Sequence, residues 1–395
     1  MSLQLLHTQK KGAIMETGRI EEQRHSSLGE LRRWGYGTHS FLSLYRGFTH
    51  YRQDSVGGYI PYVETDKLIL VAGEPVSAPE ALPVLVRGLM RLALEKEKTL
   101  AILPASAQYK ESFKKLGFDC VYIGKEPIFD LKALPKYPKS IRLAVNRAQR
   151  LGIRIEPYAD RFAPQVEALC ARWQDTRELP ALQFLFQLRP LYLRENKKFF
   201  LAVDKDDKLL AFLSCSPIFG RNGWYLEDLI REPAAPNGTT EMLVTMALES
   251  LAQEGYDMAT LALAPLAGMP DQDESHPKLN RILRLAYRRL SFLYHFQTLE
   301  YFKAKFKPSN WEPNYFYFYP AGVNITLARN LVEAFVGENL FSIVRHKIKG
   351  IFPRLKNSAA RRLRARLYGK KESGGSSSVN NHTGEAGGRA ATGEV

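Results

Sequence analysis

The stretch between residues 224 and 319 constrains this chain most, because its buried-type strands end in charged residues. It begins W-Y-L-E-D-L-I-R, passes through P-N-G-T into a helical pattern, and returns as the apolar run T-L-A-L-A-P-L. It closes with Y-F-K-A-K-F-K-P-S-N-W-E-P-N-Y. Glu227, Asp228 and Arg231 end the first strand just before a helix start. Free N–H groups and the helix dipole favour an anionic or zwitterionic ligand at such a place.

Composition limits the kind of protein. A chain of 395 residues is long enough for two ordinary domains. It has no run of about eighteen apolar residues, so we expect no spanning helix. The N-terminus lacks the apolar region of a secretory signal. Cys120, Cys170 and Cys215 lie far apart, which is typical of reduced thiols in a cytoplasmic protein.

The net charge of +15 is unevenly distributed. Residues 340–371 hold five Lys, six Arg and no acidic residue, and their apolar residues recur at helical spacing. An apolar stripe beside a cationic face is typical of an interfacial helix on anionic lipid. An RNA-binding arm is the main alternative, and an unstructured tail is the third. Residues 372–395, rich in Gly and Ser, are predicted to be disordered.

Strands and helices alternate along the chain, which predicts an α/β fold with mixed sheets. The predicted helices are 28–34, 79–97, 107–116, 139–151, 162–174, 182–194, 239–253 and 279–296. The predicted strands include 41–45, 58–63, 68–72, 100–103, 119–131, 153–157, 199–203, 209–216, 260–266 and 301–315, with one more starting at 224. The predicted domains are a loose leader (1–27), an N-terminal lobe (28–138), a C-terminal catalytic lobe (139–320), a basic helical tail (321–371) and a disordered end (372–395).

Several short pieces, taken in order, resemble one family. They are D-L-I-R at 228–231, N-G at 237–238, L-A-P-L at 263–266 and F-K-A-K-F at 302–306, followed by W-E-P and Tyr315. Arg142, Asn146, Arg147 and Gly152 match upstream. Together they resemble the C-terminal catalytic domain of phosphatidylglycerol lysyltransferases. That resemblance implies tandem GNAT-like acyltransferase folding, with aminoacyl-tRNA as donor and a lipid as acceptor.

Roles for individual residues follow from that resemblance and from the chemistry of acyl transfer, which needs a cation or N–H donors for the oxyanion. Asp228 is expected to hold the α-amino group of the aminoacyl moiety, and Arg231 to neutralise phosphate or a lipid headgroup. Lys303 or Lys305, which alternation would place on one side of a strand, is expected to meet the terminal tRNA phosphate or the oxyanion. A local salt bridge is the alternative for Asp228 and Arg231. The expected substrate contacts are Glu227, Asn237, Arg142, Asn146 and Arg147.

The last three of those residues lie on a basic helix. Arg and Lys at phosphate spacing supply affinity for tRNA without sequence choice. A solvated basic face is the alternative interpretation of the same pattern.

The sequence contains none of the common motifs for phosphate, dinucleotide or zinc binding or for a nucleophilic serine. A P-loop, G-x-G-x-x-G, H-E-x-x-H and G-x-S-x-G are absent from the sequence. We therefore expect neither a metal nor a cofactor, with aminoacyl-tRNA as co-substrate. GNAT enzymes that use acetyl-CoA hold its pyrophosphate on loop amides. Here the corresponding residues 231–239 include Pro233 and Pro236, which lack N–H donors.

Three hypotheses follow. The first is an aminoacyltransferase that moves an amino acid from aminoacyl-tRNA to a phosphatidylglycerol-like lipid or a related acceptor. It would be cytoplasmic, and peripheral at the inner membrane face through residues 340–371. The second is a GNAT-type N-acyltransferase that acts on a peptide or small amine, with acyl-CoA as donor. The third is a non-catalytic adaptor that binds RNA or membrane through its tail.

Overall fold

The strands of this protein pair into one mixed sheet. The computed structural model describes residues 26–175, 188–265, 267–268 and 296–322. The strands are β1 (Thr49–Gln53), β2 (Val56–Glu64), β3 (Leu68–Ala72), β4 (Thr99–Ser106), β5 (Asp119–Asp130), β6 (Arg154–Pro157), β7 (Lys198–Val203), β8 (Leu209–Ile218), β9 (Gly223–Arg231), β10 (Met258–Thr260), β11 (Ala264–Pro265) and β12 (Asn310–Tyr319). They run in the order β1-β2-β3-β4-β12-β5-β10-β9-β8-β7-β6, and β11 pairs with β5.

The helices cover both faces of this sheet. They are α1 (residues 26–34), α2 (Leu82–Glu95), α3 (Lys110–Lys115), α4 (Lys139–Arg150), α5 (Ala163–Asp175), α6 (Thr239–Gln253) and α7 (Phe296–Ala304). On one face of β7–β9, α4 and α6 pack over a core that includes Leu213, Leu226 and Leu243. On the other face, α5 packs over Phe212 and Ile230. The predicted α/β architecture is confirmed.

Two parts of the sheet are joined at its centre. β12 pairs with β4 and β5, so the last described strand lies among strands from the first part of the chain. β5 also pairs with β10, which links those strands to β6–β10. The predicted division into lobes at residue 138 stays a prediction.

β9 and β10 separate partway along their length. Their parallel pairing covers Gly223–Met258 to Tyr225–Thr260 and ends there. β9 continues to Arg231, while the segment after β10 turns at Ala262, which has a positive φ of 58°, before β11 begins. Beyond Tyr225, β9 and the segment that follows β10 are therefore no longer paired.

Three predicted elements were wrong. Residues 41–45 form no strand, because Ser40–Leu44 is a buried 3-10 turn. The run 260–266 is not one strand, since the turn at Ala262 divides it. The predicted strand 301–315 is wrong in its first part, since residues 301–306 are the end of α7 and the turn after it, and the strand begins only at Asn310. The alternating F-K-A-K-F pattern also has phenylalanines four residues apart, and in the helix end Phe302 and Phe306 meet with ring centroids 5.4 Å apart.

Other predictions lie wholly or largely outside the described residues. These are the leader, the helix at 279–296, most of the helix at 182–194, and the tail at 340–371. Within the described ranges, no helix is long and apolar enough to cross a membrane.

Candidate functional site

A bulge in β9 brings two consecutive carboxylates to the same face of the sheet. Ser214 pairs with Asp228 and Cys215 with Leu226, so Glu227 is the extra residue of β9. Ser214 and Ser216 lie on one face of β8 because side chains alternate along a strand. Ser214 Oγ donates to Asp228 at 2.8 Å, and Ser216 Oγ donates to Glu227. A regular strand would have pointed the two acids in opposite directions.

A buried lysine completes this cluster. Lys197 Nζ lies 2.8 Å from Glu227 Oε2, and the two side chains are 0% and 6% exposed. Tyr45 lies between them: its hydroxyl accepts from Lys197 and donates to Glu227 at 3.1 Å. Burial, followed by the charges of Glu227 and Asp228, raises the pKa of Tyr45 far above its usual range. The tyrosine therefore stays protonated and holds the ion pair in place.

Asp228 is the member of this cluster that titrates near neutrality. Burial raises its pKa to about 7, and the charge of Glu227 adds to the effect. Lys197 and the Ser214 hydrogen bond act in the opposite direction. Near pH 7 Asp228 is thus divided between its neutral and charged forms, which suits a group that binds or exchanges a proton.

A second polar group lies where β5 and β10 meet. Glu126 is buried and accepts from Thr260 at 2.7 Å and from Thr38. The His39 ring packs at a tilt against Tyr225 of β9, with ring centroids 5.4 Å apart. The segment 36–45 therefore contacts both groups, through Thr38 at one end and Tyr45 at the other.

Lys303 lies against the turn that follows β10. Its Nζ donates to the carbonyls of Ala262 (2.9 Å) and Leu263 (2.7 Å), and the residue is 5% exposed. Burial lowers the pKa of Lys303 to about 7, although the charge of Glu126 opposes this. Burial, with the charge of Lys303 second, lowers the pKa of His39 to about 4. Lys303 holds the turn that separates the strands.

Lys305 lies elsewhere, which corrects the expectation that both lysines share one side of a strand. The residue follows α7 in a turn, and its Nζ is 2.7 Å from Glu241 Oε1 in the first turn of α6. Those two side chains are 20% and 21% exposed. Unlike Lys303, Lys305 can reach solvent without breaking a buried contact.

The remaining predicted residues surround the start of α6. Arg231 is exposed and donates to the carbonyl of Ala235 at 3.2 Å, while Asp228 bonds to Ser214. Asn237 is exposed, and the N-cap of α6 is Gly238, so neither Asn237 nor Thr239 provides a side-chain cap. The structure thus joins Glu227 and Asp228 in one cluster and places Arg231, Asn237 and Lys305 in other contacts.

α4 packs directly on the start of α6. A Cβ at Gly238 would lie 2.1 Å from the carbonyl oxygen of Ala144, and Gly238 has a φ of 104°. Arg142, Asn146 and Arg147 are exposed on the outer side of α4. The predicted basic helix is confirmed, and its backbone packs against the N-terminus of α6.

Sequence reasoning missed Lys197, Tyr45 and Glu126. Lys197 follows Glu195 and Asn196 in a polar turn, a pattern typical of a solvated residue. Tyr45 was attributed to a strand. Only Glu126 could have been found from the sequence, because a charged residue directly before the apolar residues of β5 indicates a functional or paired carboxylate.

Comparison with known proteins identifies the family. A model of the phosphatidylglycerol lysyltransferase C-terminal region matches residues 29–318. The chain belongs to this family. Among curated relatives, the lysylphosphatidylglycerol biosynthesis bifunctional protein LysX of Nocardia farcinica is 27% identical over 261 residues, which are 63% of this chain and 23% of that protein. The protein of the same name from Mycobacterium leprae is 32% identical over 186 residues, which are 45% of this chain and 16% of that protein.

Two solved structures of this family share the fold. L-PGS from Bacillus licheniformis matches with a TM-score of 0.67 at 18% identity, over 79% of this chain and 96% of that one. The C-terminal domain of a putative lysylphosphatidylglycerol synthetase from Agrobacterium fabrum matches with a TM-score of 0.68 at 20% identity, over 80% and 98%. The expected family is therefore confirmed, and these structures share the mixed α/β fold of this chain.

Proposed function

We propose that this protein transfers an aminoacyl group from aminoacyl-tRNA to the hydroxyl of a phosphatidylglycerol-like lipid or related acceptor. Membership of the lysyltransferase family over residues 29–318 carries this proposal. The matched region is less than a quarter of the curated relatives' length. The substrates of those longer proteins are therefore a proposal for this chain.

In the proposed reaction, the acceptor hydroxyl oxygen attacks the ester carbonyl of the aminoacyl-tRNA. A new carbon–oxygen bond forms, the bond to the ribose oxygen breaks, and the hydroxyl proton ends on that ribose oxygen. The ester is already activated, so positioning supplies much of the rate. Ionised Asp228 holds the α-ammonium group. Arg231 neutralises a phosphate or headgroup, and Glu227 keeps the cluster ordered through its buried bonds.

The lysines take different roles in this proposal. Lys305 meets the terminal tRNA phosphate, because it is partly exposed at the start of α6. Lys303 donates to two carbonyls and holds the turn after β10, where a neutral or charged amine can also face the oxyanion. Asn237 lies beside Lys305's partner helix and contacts the same end of the donor.

Aminoacyl-tRNA suits this geometry better than acyl-CoA does. Ala144 of α4 packs against Gly238, and Pro233 and Pro236 provide no N–H groups in the loop before it. A pyrophosphate would have to displace α4 to reach the backbone N–H groups at the start of α6, whereas the Lys305 side chain is accessible from outside. The exposed Arg142 and Arg147 instead offer cations, and Asn146 an amide donor, to a longer phosphate backbone. This contrast favours the first hypothesis over the N-acyltransferase alternative.

Incubation of the purified protein with a mixed pool of charged tRNA and phosphatidylglycerol vesicles tests the proposal. We expect a new aminoacylated lipid by mass spectrometry, and none with uncharged tRNA or with Asp228→Asn. Absence of any aminoacylated lipid with charged tRNA would contradict the lipid acceptor. Thermal stabilisation by acyl-CoA but not by aminoacyl-tRNA would favour the second hypothesis instead.

tRNA binding by α4 has its own test. Arg142→Ala and Arg147→Ala should each weaken tRNA binding and reduce the slope of log affinity against log salt by about 0.7 to 0.9. The matched control is Arg87→Ala, which removes an exposed arginine from α2. Equal losses in all three variants would show that binding reflects overall charge and not this helix.

The membrane contact through residues 340–371 also stays a proposal, as does location at the inner membrane face. It predicts that removing those residues lowers binding to anionic vesicles while transfer to a detergent-dispersed lipid persists. Loss of both would instead assign the tail to the catalytic unit or to RNA binding.

A further inference from the structure

Glu227 and the half-buried Asp228 on β9 form a cluster with Lys197 just before β7, and their charges do not balance when all three are ionised. Lys197 is fully buried and pairs with Glu227, while Asp228 has a hydroxyl partner, Ser214. A buried carboxylate without its own cation is costly to ionise. The charge on Asp228 therefore depends on the residues around it.

The bulge in β9 causes this dependence. Because Glu227 is the extra residue, it lies on the same face as Asp228 and is not separated from it by the sheet. The titratable groups that interact with the charge of Asp228 are Glu227 beside it on β9, Lys197 before β7, Cys170 on α5 and Tyr45 in the 3-10 segment, together with Cys215 on the opposite face of β8. Among these, Lys197 is the cation.

We propose that Lys197 is a positioning residue that sets the charge of the Glu227–Asp228 pair, and with it the pH range over which Asp228 holds the ammonium group of the donor. This inference rests on the proposed function. Lys197 acts through the two carboxylates and touches no substrate, since its Nζ is occupied by Glu227 and Tyr45.

Opposite substitutions should shift the reaction in opposite directions. Lys197→Met keeps the length of the side chain and removes the charge, so Asp228 should ionise at higher pH. Glu227→Gln removes the neighbouring anion and leaves Lys197, so Asp228 should ionise at lower pH. Opposite and like charges at this range move a titration by about 1 to 3 pH units. Lys197→Arg preserves the charge and is the conservative control.

The measurement is kcat/KM for aminoacyl-tRNA between pH 5 and pH 9, at about half-unit intervals. We expect the midpoint of the acidic limb to move to higher pH by at least about one unit in Lys197→Met, and to lower pH by a similar amount in Glu227→Gln. In Lys197→Arg the midpoint should stay near the wild-type value. Shifts in one common direction, or no shift in either variant, would overturn the inference. A purely structural role for Lys197 would lower activity at every pH without moving the limb.

A milder variant covers the case in which Lys197→Met fails to fold. Ser214→Ala deletes the hydroxyl that donates to Asp228 and leaves the ion pair intact, so its acidic limb should also move to higher pH. An unchanged limb in Ser214→Ala together with an unchanged limb in Glu227→Gln contradicts the inference.

A second readout needs no substrate. Asp228 binds its proton up to about pH 7 in the folded protein, whereas a carboxyl of an unfolded chain releases it near pH 4. Stability of the wild type should therefore fall as pH rises through this window, and Asp228→Asn should remove that fall. Glu227→Gln should narrow this pH window and Lys197→Met should widen it, because the first removes an anion beside Asp228 and the second removes a cation. If the pH dependence of stability shifts as expected but no aminoacyl transfer is found, the proposed function fails and the effect of Lys197 on the charge of Asp228 stands. If transfer is found but neither the pH dependence of stability nor the acidic limb shifts, the proposed function stands and the role of Lys197 fails.

Discussion

The contact between α4 and α6 provides the most direct test of the structure. Gly238 has a φ of 104°, and a Cβ there would lie 2.1 Å from the carbonyl oxygen of Ala144. Gly152 at the end of α4 is a matched control, because its φ is also positive, at 79°, but nothing lies within 4 Å of its Cβ. Alanine at either position meets backbone strain, and at Gly238 it also meets a clash.

The two costs can be separated. Positive φ costs an alanine about 1 to 2 kcal/mol, which is the expected loss in Gly152→Ala. In Gly238→Ala, α4 must retreat by about 1.3 Å to restore the ordinary contact distance of 3.4 Å. Overpacking of that kind adds about 1 to 3 kcal/mol. We therefore expect Gly238→Ala to be less stable than Gly152→Ala by about 2 kcal/mol.

Urea unfolding followed by circular dichroism measures both free energies, provided that the m-value is unchanged. The same preparation should bind tRNA more weakly in Gly238→Ala, since the exposed arginines of α4 move with the helix. Equal stability of the two variants would refute the reasoning. It would mean that α4 yields freely, and that its position neither blocks a pyrophosphate nor fixes the basic surface.

The remaining predictions concern the three buried or half-buried lysines. Lys197→Met should lower the free energy of unfolding by about 3 to 5 kcal/mol, because it leaves Glu227 buried without its cation. Lys305→Met should lower it by less than about 1 kcal/mol, since the pair of Lys305 with Glu241 is partly exposed. Urea unfolding measures both losses, and equal losses would contradict the difference in burial. Lys303 has a pKa of about 7 when folded, against about 10.4 in an unfolded chain, so folding excludes a proton and its contribution to stability rises with pH across that interval. The stability of wild type relative to Lys303→Met should accordingly rise by about 2 to 3 kcal/mol between pH 7 and pH 9, and a constant difference would show that Lys303 stays charged.

The sequence by itself determined the local elements and the family. Hydrophobic periodicity located α6 and β3 at their observed bounds, because a helix or a strand buries one repeating face whatever lies opposite. It also located the basic helix α4, which lies within one residue of the predicted range. The order of D-L-I-R, N-G and L-A-P-L indicated the family that the comparison confirmed.

Only the tertiary structure decided which charged residues meet. Lys303 and Lys305 are two positions apart, yet one holds the turn after β10 and the other pairs with α6, because a helix end separates side chains that a strand would align. Glu227 and Asp228 should point apart in a regular strand and are brought together by a bulge. Lys197 and Tyr45 come from segments 152 residues apart. Contacts of that range depend on strand pairing and packing, which local patterns do not encode.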